Sequence, residues 1–123
     1  MFAPIFKTLD TSAVRALAGA PARIYSSADA PQNVQTPYIT WFVVTADPYN
    51  QISGVPDGDS DTVQIDCWAG PNDDQELVCV QLAQAVRSAL DAAGQANRVI
   101  VNNREKSTGL YRIALQAEFI HSR

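Results

Sequence analysis

The sequence predicts an α+β domain: a mostly antiparallel β-sheet with helices packed on one face, in the order α-β-β-β-α-β-β. Three observations carry this. Thr62 to Ala69 alternates apolar and polar residues, the period of a strand with one buried face. Gln75 to Ala93 repeats its apolar residues at helical spacing instead. Strand-like runs stand on both sides of this long helix, and shorter helical patterns open the chain, so the classes of element are not strictly alternated.

Taken in order, Pro4 to Ala18 predicts one or two short helices. Ile5, Phe6 and Leu9 share a face, and Asp10, Thr11 or Ser12 caps a second piece carrying Val14 and Leu17. Gly19-Ala20-Pro21 stops it, Arg23 to Ser26 is a short strand, and Ser27 to Thr36 is a loop. Pro37 to Thr45 is aromatic and β-branched, with proline only at its first position. Ile39, Trp41 and Val43 share one face; Tyr38, Phe42 and Val44 share the other. With both faces apolar, one is expected to meet the helices and the other a loop or a second subunit. Ala46 to Ser60 is a long connection rich in Asp, Pro and Gly, with little to bury. It is expected to be poorly ordered in the free protein and to order on contact with a partner.

In the central strand Val63, Ile65 and Cys67 point to the core, and Gln64, Asp66 and Trp68 point away. Gly70-Pro71 ends it. Asn72 or Asp73 can cap the long helix, and Asp73 with Glu76 has the form of a capping box. The core stripe is Val78, Leu82, Val86, Ala89, Leu90 and Ala93, widened by Cys79, Ala83 and Ala85; Gly94 is the stop. Leu77 and Val80 fall on the polar side of the wheel, so another element covers them or they are exposed. Asn97 to Asn102 is a strand and Asn103 to Gly109 a charged turn. In the closing strand Tyr111, Ile113, Leu115, Ala117 and Phe119 face inward, and Arg112, Gln116 and Glu118 outward.

At 123 residues, 46% of them hydrophobic, residues 1–123 are expected to form a single domain. No apolar run is long enough to span a membrane, and the N-terminal residues lack the apolar core of a signal peptide, so manufacture in the cytoplasm is expected. Cys67 and Cys79 fit no zinc or redox spacing and read as reduced, buried thiols. The net charge of −4 argues against a nucleic-acid binder. Between Arg23 and Arg87 there is no Lys or Arg, whereas the chain from Arg87 onward is net basic.

The residues show no catalytic constellation and call for no cofactor. His121 is the sole histidine and has no evident partner for acid–base work. Asp57, Asp59 and Asp61 match the first ligands of an EF-hand loop, but Thr62 stands where its glycine belongs and Trp68 where its glutamate belongs. A solvated acidic turn is the plainer reading, and no metal site is assigned.

The succession Arg23-Ile-Tyr25, Pro37-Tyr-Ile39, Val63-Gln-Ile-Asp-Cys-Trp-Ala69 and Leu82-Ala-Gln-Ala-Val-Arg87 with Leu90, closed by Tyr111 to Ile120, resembles the small tail-completion proteins of long-tailed bacteriophages. These are also called tail terminators or tail-to-head joining proteins. The resemblance covers nearly the whole chain; Cys67 departs from the plain apolar residue expected there. It implies a structural virion protein, made in the host cytoplasm, that forms a hexameric ring at the head-proximal end of the tail. Its implied partners are its own copies, the tail tube protein and the head connector or stopper protein. It supplies no catalytic residues. Two other readings remain: a different joining component, such as a stopper, and a small-molecule-binding α+β module, which requires a closed pocket.

A ring needs a heterologous contact between two different surfaces. Asp57, Asp59, Asp61, Asp73 and Asp74 on one side, and Arg98, Arg104, Lys106 and Arg112 on the other, are the candidate pair, with Leu77 and Val80 as an apolar centre. The competing expectation is that the N-terminal helix covers Leu77 and Val80 within one subunit.

Overall fold

A computed structural model of the chain describes residues 4–48 and 58–122. Its helices are α1 (Ile5–Leu9), α2 (Ser12–Ala18) and α3 (Glu76–Ala92); its strands are β1 (Ile24–Ser26), β2 (Tyr38–Pro48), β3 (Gly58–Ala69), β4 (Asn97–Arg104) and β5 (Tyr111–Ser122). The five strands form one sheet in the order β1-β2-β3-β5-β4. β1 runs parallel to β2, and every other neighbouring pair is antiparallel. The sheet is thus mixed, with a single parallel pair at one edge of an otherwise antiparallel set.

Alternation decides which face of the sheet is buried. Ile39, Val63, Ile65, Cys67, Leu115, Ala117 and Phe119 all lie on the inner face, each at 0% exposure. Cys79, Leu82, Val86 and Leu90 of α3 pack onto them, together with Ile5 and Leu9 of α1 and Val14 of α2. The alanines at 83, 85 and 89 are buried too, which lets α3 lie close to the strands. α2 begins with Thr11, whose hydroxyl accepts from the Val14 amide. α3 ends as a Schellman turn: Gln95 N–H donates to Leu90 O, Gly94 N–H to Asp91 O, and Gly94 adopts φ +74, which its missing Cβ permits.

Several expectations change. Ala46–Pro48 continue β2 and Gly58–Ser60 begin β3, so the predicted connection from Ala46 to Ser60 is shorter; its remaining part, 49–57, lies outside the described residues. A bulge at Val44 breaks the alternation of β2 beyond Val43; Val43 itself still pairs with Val63 on the core face, yet it is 40% exposed past the end of β1. The capping box does not form. Asp73–Gln75 make a single 3-10 turn, without a side-chain cap at Asn72, before α3 starts at Glu76. Phe6 turns outward, Ala93 lies exposed past the helix end, and β4 extends two residues beyond Asn102.

Candidate assembly interface

Three surfaces carry chemistry. The first is the sheet face away from the helices. Asp66 sits there at 5% exposure. Its Oδ1 accepts from Arg112 Nη2 at 3.2 Å, Arg112 Nε at 3.3 Å and Gln64 Nε2 at 3.0 Å. The Arg112 guanidinium lies 5.6 Å from the centre of the Trp68 ring, and Trp68 stacks on Tyr38 at 6.1 Å. Trp68 Nε1 donates to Thr40 Oγ1 at 3.0 Å. Among the described residues these side chains surround Asp66, and they bury a carboxylate because cation and amide partners satisfy it.

The second surface joins α3 to β4. At one end Arg104 Nη1 lies 3.0 Å from Asp73 Oδ1, and Arg104 also donates to Pro71 O and Gly109 O. At the other end Asn97 accepts from Arg87 Nε at 3.1 Å and donates to Asp91 Oδ1 at 2.8 Å. Beside the first contact, Asp73, Asp74, Glu76, Leu77 and Val80 line a shallow, open depression of about 440 Å³. Leu77 is 64% exposed, so α1 does not cover it; Val80 is half-buried against the core.

The third surface is the pair of sheet edges. β1 accompanies β2 only as far as Trp41, where the Ser27 amide adds one more bond. From Phe42 to Pro48, β2 has β3 on one side and no described strand on the other. β4 is the opposite edge. Phe42 (39%), Val43 (40%) and Val44 (50%) are exposed on the first edge, and Val99 (44%) and Ile100 (40%) on the second.

The sequence-predicted residues are therefore dispersed. Asp73, Asp74, Leu77 and Val80 come together, and Arg104 joins them through Asp73 of the same chain. Arg112 is engaged by Asp66, and Arg98 donates to Gln116 Oε1 at 3.0 Å on the outer face. Lys106 is exposed in the β4–β5 turn. Asp61 is buried, at 5% exposure, in β3. Asp57 lies outside the described residues, as does the side chain of Asp59. Gly58 to Asp61 run as an extended strand between β2 and β5, so the EF-hand pattern is not a curled loop. The apolar character of β2 on both faces pointed to Phe42 and Val44; nothing in the spacing marked Val99 and Ile100 as exposed.

The cysteines are free and buried. Burial, with Cys79 and Asp66 nearby, pushes the Cys67 thiol well above its ordinary range. Burial also pushes Cys79 up to about 11, against the backbone of Ile113, which lowers it.

Open strand edges, exposed apolar residues and shallow depressions, rather than an enclosed cavity among the described residues, define a small α+β protein that presents surfaces for association. The chain belongs to the family described as Tail completion protein gp17, whose family model matches residues 3–122. It is a structural component of the virion tail. In three dimensions it is similar to a chain of the virion of a native gene transfer agent (GTA) particle, with a TM-score of 0.65 and 16% identity over 97% of this chain and 92% of that one. That likeness is one of fold. No curated protein matches the chain in sequence.

Proposed function

We propose that this protein closes the head-proximal end of the tail tube and joins it to the head connector, as a hexameric ring that acts by binding and not by catalysis. Membership of the tail-completion family is the observation that carries this reading. The exposed apolar edges and the open depression at Leu77 suit a subunit whose work is contact with other chains. A subunit of this kind offers one rim of the ring to the tube and the other to the connector, and heterologous contacts between copies close it.

Deletion of the gene tests the proposal. The expected outcome is intact heads beside tails that are unjoined or overlong, restored by the gene in trans. Normal infectious particles from a clean deletion would overturn it.

A further inference from the structure

We propose that β4 of one copy pairs, antiparallel, along the free part of β2 of the next copy, so that the sheets join head to tail around the ring. This rests on the ring reading above and names the surfaces that make it.

Phe42–Pro48 and Asn97–Arg104 each present one row of amides and carbonyls to no described strand. A protein that stays monomeric guards such edges with charge, proline or a bulge. Both edges do carry such features: a bulge each, at Val44 and at Ile100, with Asp47 and Pro48 in β2 and Arg98 and Arg104 in β4. Each bulge, however, adds its extra residue to an exposed apolar cluster: Phe42-Val43-Val44 on one edge and Val99-Ile100 on the other. That arrangement gives an incoming strand both backbone partners and apolar surface to bury.

Direction and charge then select the occupant. β2, β3, β5 and β4 are successively antiparallel, so β2 and β4 run in opposite directions. Copies arranged with one orientation around a ring therefore bring β4 and the next β2 together antiparallel. β4 carries Arg98 and Arg104 and no acid; the free part of β2 carries Asp47 and no base. Pairing β4 with a second β4 would set arginines beside arginines, which is unfavourable across strands. A β4–β2 contact avoids this, because residues 42–48 include no Arg or Lys. Across β3, the free part of β2 lies level with Gln116 to His121 of β5, whereas β4 spans Tyr111 to Ala117. Each step between copies thus includes a shift along the strands, which inclines them to the ring axis as shear does in a barrel.

Cysteine cross-linking tests this, because Cys67 and Cys79 are buried and do not compete. The double variant Val44→Cys with Ile100→Cys, and the neighbouring pair Val43→Cys with Val99→Cys, are oxidised and run under denaturing, non-reducing conditions. A ladder of bands is expected from at least one pair, ending at the number of copies in the ring, with monomer from every single variant. Dimers from Ile100→Cys alone would show a symmetric β4–β4 contact and overturn the proposal. Rings visible by electron microscopy without a ladder from either pair overturn the edge pairing and leave the ring standing. The absence of rings, with and without tail tubes, overturns both. Hydrogen exchange on the unmodified protein is independent of the variants: amides in 42–48 and 97–104 should slow at least tenfold on assembly. Unchanged exchange in both strands of an assembled ring refutes the pairing whatever the cross-links show.

Discussion

Arg104 Nη1 lies 3.0 Å from Asp73 Oδ1, fastening the last residue of the edge strand β4 to the turn that starts α3. The two residues belong to the basic and acidic parts of the sequence, and they meet within one chain. Arg104 also donates to Pro71 O and Gly109 O and lies 4.7 Å from the Tyr111 ring centre.

These contacts are unequal, so the two halves of the pair should respond unequally. Asp73→Ala removes an exposed ion pair and should cost about 0–1 kcal/mol, falling with added salt. Arg104→Ala also leaves two carbonyls to water and uncovers Tyr111, and should cost about 1–2 kcal/mol. Urea unfolding at low and high salt measures both. Equal losses would show that the ion pair, and not the other contacts, fixes Arg104.

The Asp66 network should be asymmetric in the other sense. Arg112→Ala leaves a carboxylate at 5% exposure without its cation and should cost about 1–3 kcal/mol, the lower end reflecting the partly exposed arginine. Asp66→Asn keeps an acceptor for Gln64 and should cost about 1 kcal/mol. A smaller loss from Arg112→Ala than from Asp66→Asn would contradict this account of the outer face.

Leu77 and Val80 should separate. Leu77→Ser should leave the unfolding free energy of the monomer within about 0.5 kcal/mol of the parent, since the side chain is 64% exposed. Val80→Ser should cost about 1–2 kcal/mol, because the valine packs on the core. If the depression is part of a contact between copies, Leu77→Ser weakens assembly without weakening the fold. Assembly identical to the parent removes Leu77 from that contact.

Alkaline pH should destabilise the protein through its thiols. Both are neutral inside, and their folded pKa values stand above the ordinary value near 9.0. The unfolded chain therefore releases protons first as pH rises. The contribution is full below pH 9 and falls as pH rises through about 11, by about 2 kcal/mol for Cys79. Cys79→Ala should flatten that part of the pH profile, measured by urea unfolding. An unchanged slope would point to other groups.

What the sequence disclosed is what repeats locally. The alternation in β3 and β5 and the helical stripe of α3 are set by residues close in the chain, and they place Val63, Ile65, Leu82, Val86 and Leu115 in the core as expected. What it concealed depends on distant partners. Nothing near Asp73 says that Arg104 will hold it, and nothing near Asp66 announces Arg112, yet these pairs determine which charges remain free for other chains. The bulges at Val44 and Ile100 are likewise invisible to periodicity, as is the exposure of Val43 and Val99, which keep the phase of the core face but lie on edge strands.

The strand order β3-β5-β4 also sets a sequence of events in folding. The β2–β3 hairpin joins neighbouring segments, but β3 reaches β5 only across α3 and β4, a pairing of long sequence separation that forms slowly. β4 and β5 form a local hairpin of their own, which joins the rest of the sheet only when β5 pairs with β3. A chain still folding therefore does not yet hold in one sheet the two edges by which we propose that copies join. Recruitment of a neighbour then waits for the monomer to be finished, and substitutions in β5 that slow folding should delay assembly by the same interval.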